Sequence, residues 1–383
     1  SISADVDSRT AESGLRFAFD AKDLLRVLPT DAELRDVAVR LPDARFPRVN
    51  GYVLKPGRDL FGADLGNTDL TNVDVSRAKL AKADLSDTIL ANASCVETNL
   101  DGAVATGLLA PSTTFRRATL TTGTFDSGDF GQADLQQVEA TGASIVDGIF
   151  ERADCRKAIF REARMSSVRM TGADLRRMDA SRADLRNARV DTRTCRGASF
   201  ANCDLRGADF GGSDLFGANL SGARLSGDVI RGAELYGLRM KDVQLPGVSL
   251  TDRDLGATAL DHANFAAADF TNSVMSHGTM NGADLQDATL ENCDLSGMEM
   301  KGCDLRGATL DGAILNGTRL QGADLRGASL RNVDISRTYL IGADLRNADF
   351  TGATYDRRPP YIEDVNRSGC INCPIGRPSP WDD

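Results

Sequence analysis

The sequence predicts an all-β solenoid, because its apolar residues repeat every five positions and not at helical or strand spacing. Every fifth residue from Leu60 to Tyr355 is apolar, which gives 60 positions without a miss or a phase slip. The residue two places earlier is usually small, most often alanine. A helix repeats near 3.6 residues and a strand repeats at 2, so neither explains the pattern. A tandem repeat is therefore the organising feature of the chain.

One repeat unit indicates how each side of the solenoid is built. The consensus is A-D-L-x-x, as in Ala323, Asp324 and Leu325. Side chains alternate along extended backbone, so Ala323 and Leu325 point the same way, into the core, while Asp324 and Arg326 point outward. The two remaining residues of each unit form a corner. Because several sides converge on a narrow interior, the position before the large apolar residue must be small.

The tandem A-(D/N)-L-x-x motif resembles that of the pentapeptide-repeat family over about 297 of 383 residues. The resemblance implies a right-handed quadrilateral β-helix, with one pentapeptide per side, 20 residues per coil and about 15 coils. With stacked strands about 4.8 Å apart, the rod would be roughly 70 Å long. Core residues 20 apart should stack, for example in the series Phe130, Phe150, Met170, Val190, Phe210, Ile230, Leu250 and Phe270.

Glycine is unevenly distributed over the corners. Of the 59 corner positions from 62 to 352, glycine fills 5 of the first 27 and 19 of the 32 from Gly197 onward. Since glycine tolerates the positive φ of a type II turn, the later half is predicted to use more type II corners.

Three segments follow from the repeat: an N-terminal capping or docking segment at 1–58, a β-helix at 59–355 and an irregular capping tail at 356–383. A solenoid must cover its open ends. The first segment is either a cap, with a helix from Ala21 to Leu28 between alternating stretches at 15–19 and 37–41, or a docking module or remnant of a larger domain. In the tail, Tyr361, Ile362 and Trp381 are candidates to cover the last coil.

Composition and motifs argue against catalysis. Aromatic residues make up 5% of the chain and there is one Trp, which suits a thin core better than a globular enzyme. No nucleophile elbow, phosphate-binding loop or zinc-protease motif is present. His262 and His277 fall at corners on different sides and should be solvated. The sequence therefore predicts no enzyme, no cofactor and no metal site.

Cysteine usage leaves one open question. Six cysteines take inward positions, where they act as small hydrophobes: Cys95, Cys155, Cys195, Cys203, Cys293 and Cys303. Cys370 and Cys373 lie outside the repeat in GCINCP. One C-x-x-C pair is half a zinc site, so the alternatives are a disulfide, a reactive dithiol or an inert packed tail.

Two departures from the pattern are candidate sites. Arg193, Asp228 and Arg253 occupy inward positions, where a buried charge needs a partner. Either they turn outward through a local bulge or Asp228 reaches Arg253. Outward positions from 103 to 124 are nearly uncharged apart from Arg116 and Arg117, which indicates either a flat polar interface or a degenerate coil.

The outward charges are arranged by face. Acidic residues fill 17 of the 30 outward positions on one opposite pair of sides and 9 of 30 on the other. Seven aspartates have an arginine two residues later, which predicts a mixed-charge lattice: Asp154/Arg156, Asp174/Arg176, Asp184/Arg186, Asp204/Arg206, Asp304/Arg306, Asp324/Arg326 and Asp344/Arg346. The repeat region has net charge −10, about a quarter of the charge on a DNA duplex of the same length.

These observations favour a non-catalytic, rigid scaffold that binds another protein. The family resemblance adds two alternatives, a DNA mimic that binds DNA gyrase or another topoisomerase and protects it from inhibitors, and an adaptor of a bacterial secretion or injection system. No direct contact with nucleic acid or membrane is expected, since no apolar run is long enough to span a bilayer. The expected location is the bacterial cytoplasm, with secretion left open because the chain starts at Ser1. The oligomeric state is also left open.

Overall fold

A computed structural model of the chain describes residues 45–192 and 194–375. The chain divides into two units, Ser1–Arg48 and Val49–Asp383. The predicted N-terminal helix and alternating stretches, Arg193 and Trp381 lie outside the described residues. Strands β1 (Arg48–Val49) and β2 (Tyr52–Val53) form a two-stranded sheet, and a 3-10 helix covers Gly227–Ile230. Among the described residues, no helix is long and apolar enough to cross a membrane.

The second unit is a coil in which each side pairs with the side 20 residues later. Single-residue parallel bridges join Asp59 to Lys79, Asp64 to Asp84, Asp69 to Ile89 and Asp74 to Ser94, and the same four ladders run on along the chain. Ladders that start five residues apart and repeat at 20 residues define four sides per turn. The predicted period of 20 is confirmed.

The inward positions form one continuous core. Leu325 and Leu345 are fully buried, and Ala323 and Ala343 are 1% exposed. Predicted stacking at 20-residue spacing is observed directly for Phe130 and Phe150, whose ring centroids are 5.1 Å apart with an interplanar angle of 16°. Each side contributes one large and one small residue, and this alternation fills the narrow interior.

The prediction that type II corners concentrate in the later half is wrong. Positive φ occurs at 26 of the 27 corners up to residue 192 and at 31 of the 32 from Gly197 onward. The hydrogen bonds between coils impose this conformation on every residue type, although a side chain there costs about 1–2 kcal/mol. Space decides many glycines instead: a Cβ at Gly207 would collide with the Asn187 amide oxygen of the preceding coil.

The outward aspartates have a second function that the charge pattern did not indicate. The Asp294 carboxylate accepts the backbone N–H of Ser296 at 2.9 Å, and Asp254 accepts that of Gly256 at 2.9 Å. This Asx-turn geometry fixes the start of each corner. The consensus aspartate therefore shapes the backbone as well as the surface charge.

The tail continues the ladders beyond the last regular repeat. Tyr339 pairs with Tyr361, Asp344 with Asn366 and Asp349 with Ile371, so the spacing lengthens from 20 to 22 residues. The rings of Tyr339 and Tyr361 stack with centroids 4.5 Å apart. The described part of the tail, through residue 375, thus adds paired rungs where the sequence predicted irregular chain.

Candidate functional site

Most of the surface is the mixed-charge lattice that the sequence predicts. All seven Asp–Arg pairs form, with nitrogen–oxygen distances between 2.5 and 2.7 Å. Arg326 also lies 3.9 Å from Asp344 of the next coil. The hydrogen bond from the Arg346 guanidinium lowers the pKa of Asp344, and the Arg326 guanidinium does the same for Asp324. Each outward carboxylate of the lattice is therefore matched locally by a cation.

The lattice is interrupted at one place between two successive coils. The bridges that would join Arg224 to Gln244, Val229 to Ser249 and Glu234 to Asp254 are absent from the described residues, while the fourth side still pairs Arg239 with Ala259. The stack is open on three sides there. We call the opening between residues 223–236 and residues 244–254 the inter-coil groove.

Asp228 explains where the interruption begins. The repeat places Asp228 inward, but burial of a lone carboxylate is costly, and the chain turns it out to solvent on the 3-10 helix. Val229, which the repeat places outward, is fully buried instead. Asp228 pairs with Arg231 and not with Arg253. The local-bulge alternative holds for Asp228, and the predicted Asp228–Arg253 contact is wrong, because Arg231 is three residues away on the same turn.

The inter-coil groove leaves backbone groups without partners. Seven N–H groups have no hydrogen-bond acceptor among the described residues: those of Leu225, Gly227, Gly232, Leu235, Gln244, Ser249 and Asp254. In regular coils, the corresponding groups donate to the adjacent coil, as Leu325 does to Asp344 at 2.8 Å. An unpaired backbone donor is unfavourable away from water, so this region departs from the pairing rule that the rest of the unit obeys.

Arg253 lies in the groove and compensates in part. Its side chain is half-buried, and its guanidinium donates to the carbonyl oxygen of Ala233, which a regular coil would pair with the N–H of Asp254. The Arg253 backbone N–H donates to the Ser273 hydroxyl at 3.1 Å. Arg253 forms no ion pair with any carboxylate of the described residues. The second inward charge is thus a buried-edge cation held by neutral oxygens.

Two adjoining cavities occupy the groove. The first, of about 690 Å³, is lined mainly by residues 225–231 and 244–253. The second, of about 500 Å³, is lined by residues 232–236 with Arg253 and Asp254. Arg253 lines both, so the cavities meet at its side chain. Their sizes fall in the usual range for ligand sites.

Two exposed aromatic rings lie beside the second cavity. Phe216 and Tyr236 are 48% and 46% exposed, and their rings stack with centroids 5.9 Å apart. The guanidinium of Arg196 lies over the Phe216 ring at 5.4 Å. Gly256 supplies the space below, since a Cβ there would lie 2.8 Å from the Tyr236 ring. Exposed, rigid aromatic surface of this kind is typical of protein-binding sites.

The other predicted candidates are separate from the groove. Arg116 pairs with Asp134 at 2.6 Å, and Arg117 pairs with Glu97 at 3.2 Å. The stretch from 103 to 124 has regular bridges, so its interpretation as a degenerate coil is wrong. It carries two exposed apolar side chains, Val104 and Leu109.

The cysteines and histidines take the positions that the repeat frame predicts. All six inward cysteines are buried and unpaired, and burial raises the pKa of the Cys203 thiol to about 12. Cys370 and Cys373 are joined by a disulfide. His262 and His277 are exposed at their corners. No group of three or more metal-binding side chains is present in the part of the chain that is described.

Sequence reasoning missed the groove as a whole and the aromatic pair beside it. The signal was present in the frame: Phe216 and Tyr236 are large outward residues exactly one coil apart. Asp228 followed by Val229 also inverts the usual inward and outward chemistry. These two anomalies lie within one coil of each other, and together they mark the interrupted region.

A comparison with family models matches eight copies of pentapeptide repeats, at residues 59–94, 68–104, 149–188, 195–227, 254–287, 283–322 and 318–354. These matches cover more than half of the chain. The chain belongs to the pentapeptide-repeat family, whose fold is a right-handed β-helix. The match between 195 and 227 ends where the 3-10 helix begins, and the next begins at 254, so the groove falls between them.

Solved pentapeptide-repeat structures are among those similar to this chain. The protein Rfr23 from the cyanobacterium Cyanothece 51142 is 24% identical, over 33% of this chain and 90% of its own, with a TM-score of 0.24. HetL from Nostoc sp. strain PCC 7120, involved in heterocyst differentiation regulation, is 19% identical over 87% and 92%, with a TM-score of 0.18. QnrB1, a plasmid-mediated fluoroquinolone resistance protein, is 16% identical over 76% and 92%, with a TM-score of 0.16. No curated protein matches the sequence.

Proposed function

We propose that this protein is a rigid, non-catalytic scaffold that binds another protein, and that the inter-coil groove with the Phe216–Tyr236 pair is its binding surface. In this proposal the repeats form a β-helix of about 15 coils, with residues 1–58 and 356–383 at its ends. The observation that carries the proposal is the interruption of three of the four ladders between residues 223–236 and 244–254.

The contrast with the lattice supports this location. Surface Asp–Arg pairs contribute only about 0–1 kcal/mol each and present matched charges to any partner. The groove offers unpaired backbone groups, a cation without a carboxylate and two stacked rings, which can each gain an interaction on binding. Binding free energy concentrates at such partly desolvated aromatic and arginine positions.

A comparison of two variants tests the proposal. The immobilised chain is exposed to an extract of the organism that carries the gene, and retained proteins are identified. Tyr236→Ala should lose the specific partner, because it removes exposed ring surface without touching the core. Tyr339→Ala removes a ring of the same kind from a ladder remote from the groove and should retain it. Equal retention by both variants would place the binding surface elsewhere, and no specific partner for the unmodified chain would contradict the scaffold.

A DNA-mimic that binds a topoisomerase is a second candidate, favoured by the two more acidic faces. The seven Asp–Arg pairs weigh against it, because they neutralise many of those carboxylates where a phosphate backbone would be uncompensated. The mimic predicts salt-sensitive binding to DNA gyrase and a change in its supercoiling activity. Unchanged supercoiling at micromolar protein would exclude this candidate and leave the scaffold in place.

A further inference from the structure

We infer that the inter-coil groove binds an extended peptide segment carrying one carboxylate, which enters as an additional strand and places that carboxylate on Arg253. This inference deepens the proposed protein-binding function and depends on it. It names the chemistry of the partner segment, which the scaffold proposal alone leaves undefined.

The backbone of the groove is the first support. Unpaired N–H groups lie on both walls, with Gly232 and Leu235 on one side and Ser249 and Asp254 on the other. Rows of unpaired backbone groups are templates for pairing with another chain, as in the addition of a peptide to a sheet edge. Extended peptide carries donors and acceptors on alternate sides, so a single segment can pair with both walls at once.

Charge selects the kind of peptide. The Arg253 guanidinium has five N–H donors, and one contact, to the Ala233 carbonyl oxygen, accounts for its described partners. Asp228, the other charge that departs from the repeat, is already paired with Arg231. A carboxylate on the incoming segment would therefore meet an uncompensated cation at the junction of the two cavities.

The surroundings limit the charge to one carboxylate. Glu234 and Asp254 are exposed beside the second cavity, so a run of acidic residues would be repelled there. The same two carboxylates, together with Asp228, disfavour a nucleic acid strand, whose phosphates recur at every step. Apolar side chains should flank the single acid, because Leu225, Leu245 and Val248 line the first cavity.

Peptide selection on the full chain tests the inference. A phage library of random nine-residue peptides is selected on the immobilised protein, and enriched sequences are synthesised with a fluorescent label for polarisation measurements. Enriched peptides should share one Asp or Glu and lack proline near it, because proline cannot donate to the ladder. Arg253→Met should weaken their binding by about tenfold or more, as expected for loss of a charged hydrogen bond. Arg326→Met, in the lattice, should leave binding within about twofold.

Hydrogen exchange provides a readout that does not depend on a variant. In the free protein, amides of Leu225, Gly232 and Leu235 should exchange faster than the amide of Leu325, which is hydrogen-bonded to the next coil. Bound peptide should slow exchange in residues 223–236 and 244–254 only.

Three results would overturn the inference: no enriched peptide, equal binding to Arg253→Met, or protection outside the groove. Loss of a protein partner in Tyr236→Ala, together with no enriched peptide, would retain the scaffold and refute strand docking. Failure of both experiments would refute both. Circular dichroism and thermal unfolding of Arg253→Met establish that the variant is folded before its binding is compared.

Discussion

The regular coils at residues 284–350 and the interrupted coil at residues 223–256 are built from the same five-residue repeat, yet they satisfy their backbones differently. In the first region, each side donates to the coils above and below, as in the hydrogen bonds from Leu325 to Asp344 and from Asp324 to Cys303. In the second, three sides lose this pairing and one arginine side chain substitutes for part of it. One inward charge suffices to make the difference, because coils interact only with their neighbours.

The largest effect should come from placing the same charge in the regular region. Ala328 and Asp228 occupy the same inward position on the same side, five coils apart. Ala328→Asp should destabilise the unit by about 5 kcal/mol or open the local coil, since an unpaired buried charge is so unfavourable. Asp228→Ala should change stability by less than about 1 kcal/mol, because Asp228 is already exposed.

Urea unfolding followed by far-ultraviolet circular dichroism measures both variants. Similar losses from the two substitutions would mean that Asp228 does not cause the interruption. Protease digestion provides a second measurement, because a coil opened at 328 should expose a new cleavage site there. Unchanged digestion and unchanged unfolding of Ala328→Asp would contradict the account of the groove.

The next effect compares packing in the two regions along one core ladder. Phe130 contacts Phe150 in a stack and Phe115 edge-on at 5.8 Å, so Phe130→Ala should cost about 3–5 kcal/mol. Ile230 lies on the same ladder beside the groove. Ile230→Ala should cost about 2 kcal/mol, at the low end for such a change, because the open coil can relax into the space. Thermal unfolding of both variants measures the difference, and an equal loss would show that the groove is packed as rigidly as the regular core.

Acid should weaken the regular region through its aspartates. Hydrogen bonds from the Thr351 hydroxyl, the Arg331 guanidinium and the Thr351 backbone lower the pKa of Asp349 from 3.8 to about 2. A lowered folded-state pKa stabilises the fold above the unfolded pKa, and this stabilisation is lost as the pH falls from about 4 through 2.

Removing the first of those hydrogen bonds should make the loss begin at higher pH. Thr351→Val is expected to raise the Asp349 pKa toward 3.8, measured by carboxyl carbon shifts in an NMR titration. Thr289→Val, at an outward position without an adjacent carboxylate partner, is the control and should leave the Asp349 titration unchanged. A Thr351→Val titration identical to that of the unmodified chain would remove the Thr351 hydroxyl as the main cause.

The repeat frame predicted the regular region almost completely, since each side is determined by its own five residues and its neighbours. Leu325, Ala323 and the Asp324–Arg326 pair lie where the pattern places them. The groove could not be predicted in the same way. Asp228 was recognised as anomalous, but its partner depended on whether the chain would shift by one residue and bury Val229. That choice follows from competition between charge burial and ladder pairing, which no single repeat encodes.

The smallest effect concerns the corners. Gly207 and Gly217 both have positive φ, so a Cβ is strained at either position and Ala should cost about 1 kcal/mol. At Gly217 the added atom meets nothing within 4 Å, whereas at Gly207 it collides with the Asn187 side chain. Gly207→Ala should therefore lower the melting temperature further than Gly217→Ala, and Asn187→Ala should abolish the difference. Equal melting temperatures for the two single variants would mean that the Asn187 side chain moves aside at no cost, and that φ alone accounts for glycine at these corners.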